Sequence, residues 1–307
     1  MPGKADRSRH EVAVASPYRL DLTVSALRRL STNVVDVLTP DGQYVRAIAG
    51  AHGPVIMRVT QERPDSIVVT IDGAASEHAK ALTVVRRTLG VDRELTHFDR
   101  AATHIAWLRP LALRMRGVKP PRYPSLWEAF VNAIAFQQVS LHAASAIVRR
   151  LITTFAQPVE SGSMLSYVFP SAEQVLGADD GLLRAAGLSA GKLAALRRAG
   201  DALASGSLTE AMLEERPSAD AAALLRQIKG IGPWTATLIL LRGVGRLDVF
   251  PMNDTSVARN LALVAGPRTP DVGKILEALS PQQGMLYFHL LLARLEARGE
   301  LTHAPAA

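Results

Sequence analysis

Apolar residues recur with two different periods along this chain. In the first hundred residues they alternate or run together over short stretches: Val12–Ala15, Arg19–Thr23, Val34–Leu38, Tyr44–Ala49, Val55–Thr60 and Ser66–Ile71. Several of these stretches are rich in β-branched residues. Turn formers such as Pro40-Asp41-Gly42 and the charged, Pro-containing stretch 61–65 separate them, so the pattern predicts strands joined by tight turns. Ser25–Leu30 and Glu77–Leu89 space their apolar positions as one helical face instead. The sum, over residues 11–115, is a small antiparallel sheet with one or two helices.

The period changes after Arg109-Pro110, Lys119-Pro120-Pro121 and Tyr123-Pro124 interrupt the chain. Ser125 can cap a helix whose Leu126, Phe130, Ala133 and Ile134 share one face. Gln137-Gln138-Val139-Ser140 breaks that face, and a second helix runs through Leu151. Further helices are expected near Ala172–Leu176 after Pro170-Ser171, over Leu193–Leu203, and from a Ser218 cap to Ile228. Long strand-like runs are missing. The fold class is therefore mostly α with an α+β N-terminal domain, the helical part covering residues 116–300. The polar ends, 1–10 and 301–307, read as a disordered arm and tail.

Composition narrows the chemistry. The 307 residues are 48% hydrophobic, enough for a substantial core, and carry a formal net charge of +7. That balance favours an anionic partner, nucleic acid or a charged membrane surface. Cysteine is absent, which removes disulfides, thiolate zinc sites and iron–sulfur clusters together. The eight histidines are scattered without a His-x-x-x-His pair, so no metal site is expected. No signal-peptide core and no membrane-spanning apolar run is present, and a cytoplasmic location is expected.

The most informative stretch is 224–259. Leu224 to Ile228 reads as the end of a helix, Lys229-Gly230-Ile231-Gly232 as a tight turn, and Pro233-Trp234-Thr235-Ala236 as the start of the next helix. Two glycines let the backbone turn sharply while Ile231 plugs the space between the helices. Pro233 suits a first helical turn, and the free N–H groups there can receive a phosphate oxygen. Taken alone, Gly-x-Gly is more often an ordinary helix–helix turn. Next comes Asp248-Val249-Phe250-Pro251-Met252-Asn253-Asp254, then an amphipathic helix from Thr255. Asp254 can be a plain N-cap for that helix or a catalytic carboxylate. Asp248 is a second, weaker candidate.

With these residues in place, the chain resembles the helix-hairpin-helix DNA glycosylase superfamily, specifically the bacterial 3-methyladenine DNA glycosylase II type. The segment 228–236 is similar to that family's hairpin, and Asp248-Val249-Phe250 with Asp254 to its catalytic loop. Ser125–Ser140 resembles its early helix and DNA-probing loop, and 187–208 the segment before the hairpin. The N-terminal sheet resembles its extra domain.

The resemblance implies base excision from duplex DNA by a monomer. A damaged, N-alkylated purine is flipped into a pocket and its glycosidic bond hydrolysed through an oxocarbenium-like sugar. Asp254 is implied as the catalytic carboxylate. Trp234 is implied as a wall of the base pocket, with a core tryptophan as the alternative. Lys229, Gly230, Ile231, Gly232, Thr235, Gln137 and Gln138 are implied as DNA-binding, with Gln138 entering the gap left by the flipped base. Trp234 stands where lyase-active relatives carry a nucleophilic lysine, so base release without strand cleavage is expected. No organic cofactor is implied, and a monovalent cation at the hairpin carbonyls is left open. The sequence departs from the family's aromatic pocket at Leu238, Thr255 and Leu279-Ser280-Pro281-Gln282-Gln283, which predicts a roomier or less aromatic pocket. A non-catalytic damaged-DNA-binding protein of the same fold, or a glycosylase for another lesion class, is the alternative.

Overall fold

The computed structural model describes residues 6–161, 164–252, 254–266 and 270–301. Asn253 of the Asp254 loop, the first five residues of the expected arm and residues 302–307 of the expected tail lie outside the described residues.

The N-terminal part runs β1 (Asp6–Ala13), α1 (Leu20–Arg28), β2 (Val37–Leu38), β3 (Tyr44–Gly50), β4 (Gly53–Arg63), β5 (Ser66–Gly73) and α2 (His78–Leu89). The strands form one antiparallel sheet in the order β1-β5-β4-β3-β2. Alternation explains its sidedness. Val55, Met57 and Val59 of β4 and Ile67, Val69 and Ile71 of β5 project to one face, with Met57 opposite Ile71 and Val59 opposite Val69. That face packs on α1 and α2 through Leu20, Val24, Leu27, Ala81, Val85 and Leu89.

Two expectations are corrected here. Residues 6–10 are not a loose arm: they pair with 69–73 as the outer strand of the sheet. Arg19–Thr23 is not a strand, because from Leu20 it belongs to α1. Leu20, Leu22 and Val24 alternate, yet they serve a helix buried on two sides. Leu20, Val24 and Leu27 meet the sheet, while Leu22, Ala26 and Leu30 meet the helical body. A helix with apolar residues on two faces mimics a strand in its first turns.

The rest is helical: α3 (Thr96–His104), α4 (Arg109–Arg114), α5 (Leu126–Ala135), α6 (Leu141–Phe155), α7 (Ala172–Leu176), α8 (Asp180–Ala185), α9 (Ala190–Ala204), α10 (Glu210–Glu214), α11 (Ser218–Arg226), α12 (Pro233–Ile239), α13 (Thr255–Ala265), α14 (Val272–Leu279) and α15 (Gly284–Glu296). A short hairpin, β6 (Pro158–Ser161) with β7 (Met164–Tyr167), interrupts them and hydrogen-bonds back to Val34. Its four-residue strands are too short to leave a period in the sequence. Phe98, Ala102, Leu108 and Leu111 join the helical core rather than the sheet's, so by core membership the first unit ends before residue 115.

Ser125 accepts its expected N-cap bond, and Ser171 and Ser189 cap α7 and α9 in the same way. Ser218 does not cap: it is the first residue of α11, Pro217 stands before it, and its hydroxyl is buried without a partner. No helix among the described residues is long and apolar enough to cross a membrane.

Candidate functional site

The helix-turn-helix around Gly230 is built as the sequence predicts. Gly230 has φ +103°, and a Cβ there would come within 2.6 Å of Ala195 on α9. Only glycine fits both restraints. Ile231 is buried between the helices, and Pro233 occupies the first turn of α12. Gly232 differs from Gly230: its φ is −86°, and a Cβ would meet nothing within 4 Å. The outer side of the turn is thus open where the first N–H groups of α12 lack intrahelical acceptors.

Asp254 begins α13 on the opposite wall. Its Oδ1 accepts the N–H groups of Ser256 (2.7 Å) and Val257 (3.4 Å), and the Ser256 hydroxyl also donates to it. Its Oδ2 accepts the indole N–H of Trp234 at 2.8 Å. The two readings of Asp254 therefore coexist on separate oxygens. Oδ1 caps the helix, and Oδ2 is aimed by one donor with a lone pair to spare. The Trp234 ring is half-buried, packed on the helical core and part of the cleft wall, so it is also a core residue and a pocket residue at once.

Between these walls lies an open cleft of about 1060 Å³. It gathers Gly230, Ile231, Gly232, Trp234, Thr235, Asp254, Gln137 and Gln138. Lys229 is exposed on the hairpin but does not line the cleft. Gln138 sits at the tip of the α5–α6 loop, exposed and with φ +55°. Gln137 is turned inward: its amide donates to the Gly230 carbonyl and the Thr235 hydroxyl, both at 2.9 Å. Those bonds occupy the two side chains with each other, and Thr235 is only 2% exposed. Gln137 and Thr235 therefore tie the α5–α6 loop to the hairpin. Asp248 lies outside the cleft. Its carbonyl accepts from Gln283, and Leu247 from the N–H of Gly284, so the segment 279–283 clamps the loop ahead of Asp254.

The cleft is not short of aromatic rings. Phe136 from the end of α5 and Tyr287 from α15 join Trp234, at positions the motif does not reach. Arg29, at the end of α1, is the residue that sequence reasoning missed. It lines the cleft, is 5% exposed, and stacks its guanidinium 3.9 Å from the centre of the Phe136 ring. Burial opposes its charge, but Tyr123, Tyr287 and the Asp254 carboxylate outweigh that and hold its pKa above the ordinary arginine value. Arg259, Arg294 and Arg298 line the outer part, and Asp254 is the sole carboxylate among the lining residues described.

The turn carbonyls of Ile228, Lys229 and Gly230 accept from the Ile231 N–H, Arg198 and Gln137. Among the described residues there is no cluster of His, Asp and Glu that could hold a metal ion.

Comparison with known proteins places this geometry. Residues 131–281 match the family described as HhH-GPD superfamily base excision DNA repair protein. The chain is 31% identical over 237 residues to the probable bifunctional transcriptional activator/DNA repair enzyme AlkA of Mycobacterium tuberculosis, covering 74% of this chain and 46% of that one. It is 27% identical over 192 residues to a DNA-3-methyladenine glycosylase of Bacillus subtilis, covering 62% and 63%. The chain thus spans less than two thirds of the length of these curated relatives, and under half of the first. The solved 3-methyladenine DNA-glycosylase from Archaeoglobus fulgidus superposes with a TM-score of 0.74 at 24% identity over 94% of this chain and 99% of that one, which shows a common fold.

Proposed function

Because the chain belongs to the HhH-GPD superfamily of base excision DNA repair proteins, we propose that it is a monofunctional DNA glycosylase that hydrolyses the N-glycosidic bond of a damaged purine flipped out of duplex DNA. The observation that carries this reading is the Asp254 carboxylate, fixed by Trp234 and by the start of α13 on the wall of a cleft beside the hairpin.

The open turn at Gly232 and the arginines at the rim supply phosphate contacts, which set register without reading sequence. Gln138, exposed at the loop tip, fills the space of the extruded nucleotide. In the cleft the C1′–N bond breaks, and its electron pair leaves with the base. Asp254 Oδ2 faces the positive charge that grows on the sugar. Water then forms the C1′–O bond, and the carboxylate accepts its proton. An N-alkylated purine leaves readily, because it departs as a neutral base. The absence of lysine among the described cleft residues supports hydrolysis without a Schiff base.

The test is base release from methylated duplex DNA by the native protein and by Asp254→Asn, with and without alkali. Release by the native protein alone, with strand breaks only after alkali, is the expected result. Tight binding with no release from methylated, deaminated or oxidised DNA would replace this reading with a non-catalytic damage binder.

A further inference from the structure

The tip of the α5–α6 loop is two exposed residues, Gln138 and Val139, and the chain is anchored on both sides of them. On the far side Ser140 caps α6, its hydroxyl accepting the Ala143 N–H at 3.2 Å. On the near side the Gln137 amide donates both of its hydrogens, one to the Gly230 carbonyl and one to the Thr235 hydroxyl. The end of α5 is held as well, because Lys192 at the start of α9 donates to the Ala135 carbonyl at 2.9 Å. The same α9 backs the hairpin turn: Ala195 lies against Gly230, and Arg198 donates to the Lys229 carbonyl at 3.3 Å. Loop tip and hairpin therefore share one base.

Ordering a glutamine side chain costs entropy. Here that cost secures a link between two segments about a hundred residues apart in the chain, with both amide hydrogens engaged inside the protein. Gln138 stands next to the link at φ +55°, a region that non-glycine residues seldom adopt. The direction in which it leaves the loop thus depends on how the chain is held at 137 and 140. Thr235 belongs to the first turn of α12, the turn whose leading N–H groups are open beside Gly232. The Gln137 bonds join the tip to that turn.

We propose that Gln137 is a positioning residue: it fixes the loop tip to the hairpin, so that a phosphate docked on the first turn of α12 sets how Gln138 enters the duplex. This rests on the glycosylase reading and assigns Gln137 to the support of the loop rather than to a contact with DNA. The hairpin keeps its own shape without the link, since the turn at Gly230 is set by its backbone and by Ala195. Breaking the link therefore loosens the tip and spares phosphate binding.

The probe is a duplex with one tetrahydrofuran abasic analogue opposite 2-aminopurine, whose fluorescence reports what enters the gap. Native protein is compared with Gln137→Met, Thr235→Val, Thr235→Ser and Gln138→Ala. Affinity and the fluorescence change at saturation are read, with melting temperature as the check on folding. Gln137→Met keeps the length and removes both donors. Thr235→Val removes only the hydroxyl, on a residue 2% exposed. Both should bind within about threefold of the native affinity, as changes away from the bound surface do. Both should lose most of the fluorescence change, as Gln138→Ala does, while Thr235→Ser keeps it. The double variant should lose no more than Gln137→Met alone, because the two residues act through one bond.

A weaker affinity in either variant would place the link in phosphate binding, or Gln137 on the DNA, and overturns the proposal. A full fluorescence change in both variants, or in Gln138→Ala, overturns it too. If Thr235→Val does not fold, Gln137→Met decides by the same split of affinity against signal. Base release from methylated duplex DNA is scored alongside. Release with no fluorescence change in the native protein overturns this inference alone. A fluorescence change lost in the variants, with no base released from any DNA, overturns the glycosylase reading alone. Neither binding nor release overturns both.

Discussion

Asp254 serves the fold with one oxygen and faces the cleft with the other, so its substitutions separate the two roles. Asparagine caps a helix as well as aspartate does. Asp254→Asn is therefore expected to melt like the native protein and lose base release, while Asp254→Ala also loses the cap, about 1 kcal/mol. Melting curves and release assays on the pair check this, and an Asn variant that melts early would show a structural need for the charge. Trp234→Phe isolates the indole N–H, since it keeps a ring on the core but removes the donor to Oδ2. A hydrogen bond to a charged group contributes about 1.5–3 kcal/mol. Release should slow by roughly ten- to a hundredfold with DNA binding retained; loss of binding instead would make Trp234 a DNA contact. Asp254 and Trp234 were legible in the sequence because their spacing from the Gly-x-Gly turn is local. Arg29 was not. It sits in the sequence as one of two arginines at a helix end, and its place in the cleft depends on α1 packing against elements two hundred residues away.

The same limit holds for elements. The turn at 229–232 reads from sequence as one unit with two equivalent glycines, yet the structure assigns them different work. Gly230→Ala forces φ +103° on an alanine and drives its methyl into Ala195, so the loss should appear in stability, about 1–3 kcal/mol. Gly232→Ala has open space and ordinary φ, so the variant should melt normally and lose affinity for an abasic-site duplex. Its added methyl stands where a phosphate would approach the first turn of α12. Thermal melting and binding titrations at two salt concentrations separate the cases, and a Gly232→Ala variant with native affinity would remove the turn from the DNA interface. The helices read between 125 and 263 were legible because their periods are local, whereas α8, α10, α14 and α15 were not read individually. Helix α1 and the β6–β7 hairpin were not legible, the first because it is apolar on two faces and the second because its strands are four residues long.

At the scale of the whole molecule, the sheet helps to set the cleft. Arg46 of β3 is buried between Asp36 (2.6 Å) and Glu128 of α5 (2.5 Å), with the Tyr44 hydroxyl also on Asp36. This network ties the sheet to the helix whose end carries Phe136 and Gln137. One guanidinium cannot neutralise two buried carboxylates. Desolvation, with help from Asp36, pushes Glu128 up from 4.5 to about 7, although Arg46 pulls the other way. The folded state therefore binds a proton more tightly than the unfolded chain. The stability this provides is full below about pH 4.5 and is lost as pH rises through about 7, on the order of 3 kcal/mol in all. Buried His289 acts with the opposite sign: burial lowers it from 6.5 to about 4, so its contribution is present above pH 6.5 and lost as pH falls. Glu128→Gln keeps the hydrogen-bonding shape and cancels only the first effect. From pH 5 to 8 the native protein should lose several degrees of melting temperature relative to Glu128→Gln, with base release falling in parallel as α5 loosens. Melting profiles that stay parallel across that range would mean that Glu128 is ionised throughout and that the network holds the cleft without a titrating proton.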